Sequence, residues 1–110
     1  MATTLSSNVY SNVGTTPVEI VYADGIKNIT ILGLNICNKS QSPVTVDGYF
    51  DKSGNLYYVF KSLSIDAETT VVAIGDNQRL ILNPYTQFKI AASANSSIDV
   101  IASIAESTLI

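Results

Sequence analysis

The sequence predicts an all-β domain, an antiparallel β-sandwich of about eight short strands in a jelly-roll-like or immunoglobulin-like order. Short runs of β-branched and aromatic residues recur along the chain, and turn residues separate them at close spacing. No segment shows a convincing helical period. The chain of 110 residues fits one domain with its own core.

Residues 1–16 are predicted to be a polar N-terminal arm, and residues 17–110 the single sandwich domain. Three alternatives stay open for the arm: docking on its own protomer, docking on a neighbour, or a loose terminus. If it docks on a neighbour, deleting residues 1–14 should weaken assembly and leave the β-structure intact.

The first strands are predicted from Pro17 onward. Val18–Tyr22 forms a strand directly after the proline, and Ala23–Gly25 carries an Asp-Gly turn signal. In the next strand the apolar residues lie two apart within each pair, with a step of three at Gly33. A bulge there would place both pairs on one face. These apolar residues are Ile29, Ile31, Leu34 and Ile36.

The clearest predicted hairpin has two aromatic-rich strands around a five-residue loop, Asp51–Asn55. Ser62–Thr69 is predicted to be a polar connection anchored by Leu63 and Ile65. The later strands are predicted at Thr70–Ile74, Arg79–Leu82, Gln87–Ala92 and Ile98–Ala105, with turns at Gly75–Gln78 and Ser93–Ser97. In the last strand one face is apolar, with Ile98, Val100, Ala102 and Ile104.

Low charge and unbroken apolar runs predict contact with other subunits. Charged residues make up 14% of the chain, against about 25% in ordinary domains. Val18–Tyr22, Ile29–Leu32 and Thr70–Ile74 are nearly continuous apolar, which indicates strands covered on both faces.

The residue inventory argues against catalysis. The chain has no histidine, which removes Ser-His-Asp and Cys-His sites and the commonest zinc ligand. Cys37, the single cysteine, is interpreted as a buried core thiol. We therefore expect no enzyme, no cofactor and no metal. Asp47 and Asp51 are interpreted as solvated turn residues rather than an acid pair, and the Asp51, Ser53, Asn55 spacing as a hairpin loop rather than a calcium site.

Charge also limits the partners. The net charge is −3 without a basic stripe, so neither nucleic acid nor a membrane surface is expected to bind. No apolar run approaches the length of a membrane span. Met1–Ser11 lacks the features of a signal peptide, which predicts synthesis in the cytoplasm.

Exposed apolar residues are the candidate contacts with other subunits. Tyr57 and Tyr58 point to opposite faces of one strand, so at least one ring faces away from the core. The candidate contact residues are Leu5, Val9, Tyr10, Val13, Tyr57 and Tyr58.

The order of segments resembles the small β-sandwich virion structural proteins of tailed bacteriophages. The resemblance covers about residues 15–106. Beyond the arm and the tyrosine-rich hairpin it rests on TTPVEIVY (15–22), ILGLNICN (31–38), SPVTVD (42–47) and IDVIASI (98–104). It implies a non-enzymatic particle component that forms a homo-oligomer, and it carries over no functional residues.

The favoured function is capsid decoration (cement), with the chain bound to copies of itself, most plausibly as a trimer, and to virion proteins such as the major capsid protein. A neck or tail component is the first alternative. A carbohydrate-binding module, with tyrosines as its platform, is the alternative from another class.

Overall fold

The structure, a computed structural model, describes residues 3–75 and 78–108, and these form an all-β sandwich of two antiparallel sheets, as predicted. No helix occurs in the described ranges. The strands are β1 (Thr3–Val13), β2 (Val18–Ala23), β3 (Lys27–Asn38), β4 (Val44–Lys52), β5 (Asn55–Ile65), β6 (Thr70–Ile74), β7 (Leu80–Leu82), β8 (Thr86–Ala92) and β9 (Ile98–Thr108).

The strand order is that of a jelly roll. One sheet runs β1-β9-β3-β6, with β7 also paired to β3, and the other runs β2-β8-β4-β5. When β6 and β7 are taken as one interrupted strand, the first strand pairs with the last, the second with the next to last, and so on inward. This nesting selects the jelly-roll order over the immunoglobulin-like one.

The predicted bulge at Gly33 is confirmed. The pairing of β3 with β9 shifts register between Ile31 and Gly33. The shift returns the side chains to one face, so Ile29, Ile31, Leu34 and Ile36 are all buried.

The segment predicted as an arm is an edge strand over its described part. β1 pairs with β9 from Thr3 to Tyr10 in unbroken antiparallel register. Its last residue, Val13, is 3% exposed and belongs to the core. The Asn8 side chain donates a hydrogen bond across the sandwich to the Ile20 carbonyl at 2.9 Å. Of the three alternatives, docking on the same protomer is therefore the one observed.

The prediction of a five-residue hairpin loop is wrong. Lys52 pairs with Asn55, which leaves Ser53 and Gly54 as the turn. Their φ angles are 55° and 86°, as a type I′ turn requires, and the Asp51 side chain accepts the Gly54 N–H at 3.1 Å.

The predicted connection at Ser62–Thr69 is wrong over its first half, because β5 continues to Ile65. Opposite Asp47 the register of β5 shifts, and Ser62 takes a positive φ of 55°. Asp47 stabilises this bulge by accepting the Ser62 N–H at 2.7 Å. The bulge breaks the alternation of polar and apolar residues, which is why the sequence looks like a loop there.

The nearly continuous apolar runs, from which strands covered on both faces were predicted, are explained in part by the geometry of the strands themselves. In β2 a register shift between Glu19 and Val21 turns both Ile20 and Val21 into the core. In β6 the outward Val72 stays 65% exposed in this chain. Cys37 is half-buried beside Asp99 and Thr70 rather than in the core, so its interpretation as a core thiol is wrong.

The predicted turn at Gly75–Gln78 is described only at its ends, where the Gln78 N–H donates to the Gly75 carbonyl at 3.0 Å. Asp76 and Asn77 lie outside the described residues. The core between the sheets is aliphatic apart from Phe88, whose ring meets the half-buried Phe50 edge to face at 5.9 Å.

Candidate interaction surfaces

The outer surface of the β1-β9-β3 sheet, here called the uncharged face, presents apolar residues in cross-strand rows. In one row Val9 pairs with Ile101, Ile101 with Asn35, and Asn35 with Val72. In a second row Leu5 pairs with Ala105, Ala105 with Thr30, and Thr30 with Ile81. Ser7, Ser103 and Gly33 lie between the rows. The large side chains of both rows are exposed: Leu5, Val9, Val72, Ile81 and Ile101.

Charged side chains lie only at the two ends of this sheet, within the part of the chain that the structure describes. At one end Lys39 and Asp99 form an ion pair at 3.0 Å. At the other Lys27 pairs with Glu106. The Glu106 carboxylate accepts a hydrogen bond from the Lys27 ammonium and raises the pKa of Lys27. The face between these pairs carries only apolar and small polar groups, and its large apolar side chains are exposed in the single chain.

The opposite surface, on the β2-β8-β4-β5 sheet, has a different character. Glu19 pairs with Lys89, Lys89 with Tyr49, and Tyr49 with Tyr58 across the strands. The two tyrosine rings are 5.2 Å apart, and Lys61 places its ammonium 4.6 Å from the centre of the Tyr58 ring. Charged and aromatic side chains thus have interaction partners within this surface.

The two candidate carboxylates lie on this charged surface and have separate partners. Asp51 forms an ion pair with Lys89 at 3.1 Å, and Asp47 faces Lys61 at 3.8 Å. Among the described residues no cluster of three or more acidic or sulfur ligands could hold a metal ion. The Asp51 carboxylate accepts the Gly54 N–H of the turn and pairs with the Lys89 ammonium.

An apolar groove of about 710 Å³ lies along the open side of the sandwich, between β5 and the β6–β7 edge. Phe50, Phe60, Leu63, Val71 and Leu80 contribute to its apolar lining, and Arg79 provides a cation. Gly48 leaves room for the Phe60 ring, because a Cβ at this position would clash with it. Tyr57 also lines the groove and is 59% exposed.

The predicted contact residues lie in four different environments. Leu5 and Val9 lie on the uncharged face, whereas Tyr57 and Tyr58 are exposed at the other sheet. Tyr10 is partly buried against the core. Val13, also a predicted subunit contact, is buried inside the sandwich in the single chain, and its side chain completes the core where β1 ends.

The uncharged face contains three further apolar residues that are not among the predicted contacts. These are Val72, Ile81 and Ile101. The exposure of Ile101 could have been predicted, because it lies between Val100 and Ala102, both on the predicted inner face of the last strand. Successive side chains of a strand point to opposite faces, so Ile101 must face outward. The described part of the chain contains no helix that is long and apolar enough to cross a membrane.

No protein-family model matches the sequence, and no curated protein matches it. Solved structures do share its fold. A Bacillus endospore appendage protein, from a family of disulfide-linked pili, matches with a TM-score of 0.57 at 13% identity, over 99% of this chain and 88% of its own. The infectious bursal disease virus structure (Gx strain) matches with a TM-score of 0.56 at 11% identity, over 96% of this chain.

The VP2 protein of the same virus, in derived T=1 particles, matches with a TM-score of 0.55 at 11% identity over 94% of this chain. The present chain spans about a third of the length of these viral proteins, 33% and 31%. At these identities the likeness establishes a shared fold, one that proteins of pili and of viral particles also adopt.

Proposed function

We propose that this chain is a non-enzymatic structural subunit of a virus particle, and that it binds other subunits through the uncharged face. The observation that carries the proposal is the pair of apolar rows on a face without charge. An exposed apolar surface of this kind marks a site of protein contact. The shared fold with particle-forming and pilus proteins supports a structural role, and the resemblance to virion proteins of tailed bacteriophages supports a virion location.

Within a tailed phage we propose capsid decoration, with a neck or tail component as the alternative. A decoration protein adheres to a finished lattice and to its own copies, which calls for a small domain with one adhesive side. We keep the trimer as the proposed assembly, with the major capsid protein as the second partner.

The test measures self-association of the purified chain by multi-angle light scattering across a concentration series. The wild type is expected to be oligomeric, and Ile101→Lys should lower the mass, because a charge placed between Val9 and Asn35 would be desolvated in the contact. Thr45→Lys, at an exposed position of the opposite sheet, is the matched control and should leave the mass unchanged. A wild type that stays monomeric at the highest concentration and does not bind assembled particles would overturn the proposal.

The carbohydrate-binding alternative rests on the Tyr49 and Tyr58 rings. Both rings already have protein partners: each other and, for Tyr58, Lys61. Glycan binding that is lost in a folded Tyr58→Ala variant would favour this alternative over a particle component.

A further inference from the structure

We propose that two copies of the chain join through β1, antiparallel and edge to edge, with Ser7 of one copy opposite Ser7 of the other. The inference deepens the proposed function, on which it rests, because it names the partner and the register of one subunit contact. It concerns the free edge of β1, whereas the proposed function concerns the face of the sheet.

The free edge of β1 has the features of a pairing site. β1 is 11 residues long and contains no charged residue and no proline. Every second residue of an edge strand directs its N–H and C=O away from the sheet, where another strand can bind them. The register with β9 is regular from Thr3 to Tyr10, and the only irregularity lies between Tyr10 and Val13. Most of the strand therefore offers a straight, unblocked backbone.

The other described edges are protected. β2 follows Pro17, carries Glu19 and is bulged after it, and the Ile20 carbonyl already accepts the Asn8 side chain. Charges, prolines and bulges are the usual means of preventing edge pairing. All three occur in β2 or directly before it, whereas β1 contains neither a charge nor a proline.

On the other side of the sandwich, β5 contains the bulge at Ser62 and carries Lys61 beside it. The β6–β7 edge is split into strands of 5 and 3 residues. Both edges are thus too irregular or too short for long pairing, which leaves β1 as the open edge among the described strands.

The proposed register follows from the side chains on the outer surface of β1. When Ser7 faces Ser7 of the second copy, Leu5 of each copy faces Val9 of the other. These side chains are 71% and 65% exposed in the single chain. Direct cross-strand pairs of this kind are the stabilising unit of a sheet, and a slip by one residue would separate them.

The same register continues the uncharged face across both copies. The row from Val72 through Asn35 and Ile101 ends at Val9, and there it meets Leu5 of the second copy, where that copy's other row begins. The two-fold axis repeats the contact between Val9 and Leu5, so the pairing joins both copies into one continuous sheet. The outer surface of this sheet carries no charge in its middle. Pairing thereby doubles the area that is available for binding a particle.

Cysteine cross-linking tests the register. In a Cys37→Ser background, Ser7→Cys should form a disulfide-linked dimer under mild oxidation, because directly opposed residues of antiparallel strands lie within disulfide distance. Ser11→Cys is the matched control on the same exposed strand. The register places the two copies of that residue about 27 Å apart, so no dimer should form. A failure of Ser7→Cys to cross-link, or equal cross-linking of both variants, would overturn the register.

Charge pairing tests the contact without a covalent bond. The L5K/V9K variant opposes like charges in each cross-strand pair and should raise the dissociation constant of the β1 contact about tenfold or more. The L5E/V9K variant opposes unlike charges and should restore it. Equal association of the two variants would contradict the inference.

The two proposals fail in different ways. An oligomeric wild type in which the β1 variants have no effect removes this inference and leaves the proposed function in place. A wild type that is monomeric and does not bind particles removes the proposed function. The cross-linking readout does not depend on whether the two-fold contact joins single chains or trimers.

Discussion

A single buried amide joins three segments of the chain. Asn38 is 0% exposed at the end of β3, and its amide nitrogen donates to the carbonyls of Ser42 at 2.9 Å, Ile65 at 3.1 Å and Asp66 at 3.2 Å. Its oxygen accepts hydrogen bonds from the backbone and the hydroxyl of Ser40. The residue thereby closes the loop after β3 against the end of β5.

Asn38→Ala should lower the free energy of unfolding by about 1–3 kcal/mol, because it removes the hydrogen bonds that this buried amide makes to three carbonyls. Urea unfolding followed by circular dichroism measures this change. Asn55→Ala, at the exposed start of β5, is the control and should change stability by less than about 0.5 kcal/mol. Equal effects of the two substitutions would show that the Asn38 network contributes little.

The inner faces of regular strands are predictable from the sequence, whereas the burial of this amide is not. Ile98, Val100, Ala102 and Ile104 alternate without interruption, so their burial followed from period alone. Asn38 ends an apolar run and precedes a polar loop, where an asparagine is expected to be exposed. Its burial depends on the distant end of β5, which no local pattern shows.

Among the strands, β1 is the one whose place in the sheet could not be predicted from its sequence. Its serines, threonines and asparagines have the composition of a loose terminus, and only Val13 has a side chain buried in the core. β1 forms because β9 offers it a long partner strand. Gly33 is the opposite case, since there the broken apolar spacing itself revealed the bulge. Tertiary pairing determines the first element, and local sequence determines the second.

Deletion of residues 1–14 should therefore lower the melting temperature by several degrees or prevent folding, in addition to any effect on assembly. The deletion removes Val13 from the core and the Asn8 bond to Ile20, and it uncovers β9. Differential scanning calorimetry measures the change. The L5S/V9S variant keeps the strand, and its melting temperature should stay near that of the wild type when both are monomeric. A stable, cooperatively folded deletion variant would contradict the role of β1.

The two outer surfaces of the sandwich differ in electrostatic character, because one carries charged side chains and the other carries none between its ends. One is held by ion pairs and aromatic rings, and the other is free of charge between its ends. The net charge of −3 therefore lies mostly away from the surface that we propose for contact. Repulsion between copies is correspondingly weak when they approach through the uncharged face.

Self-association through this surface should be nearly independent of salt. Between about 50 and 500 mM NaCl we expect less than about a twofold change in the dissociation constant, measured by analytical ultracentrifugation. The L5E/V9K variant, which substitutes ion pairs for apolar contacts, should instead weaken as salt rises. Strong salt dependence in the wild type would indicate that charged residues form the contact.

The nesting of the jelly roll has a consequence for how the protein is made. Of the nine described strands, β1 leaves the ribosome before its partner β9 and is separated from it by all the others, because Thr3 faces Ser107 in the finished sheet. Until β9 is synthesised, β1 lacks its native partner, so a strand edge of another chain can compete for it, and contacts so distant in sequence form slowly. In a cell that makes many copies at once, the nearest such edge can belong to another nascent chain. Rapid completion of each chain is therefore itself a protection against mispairing.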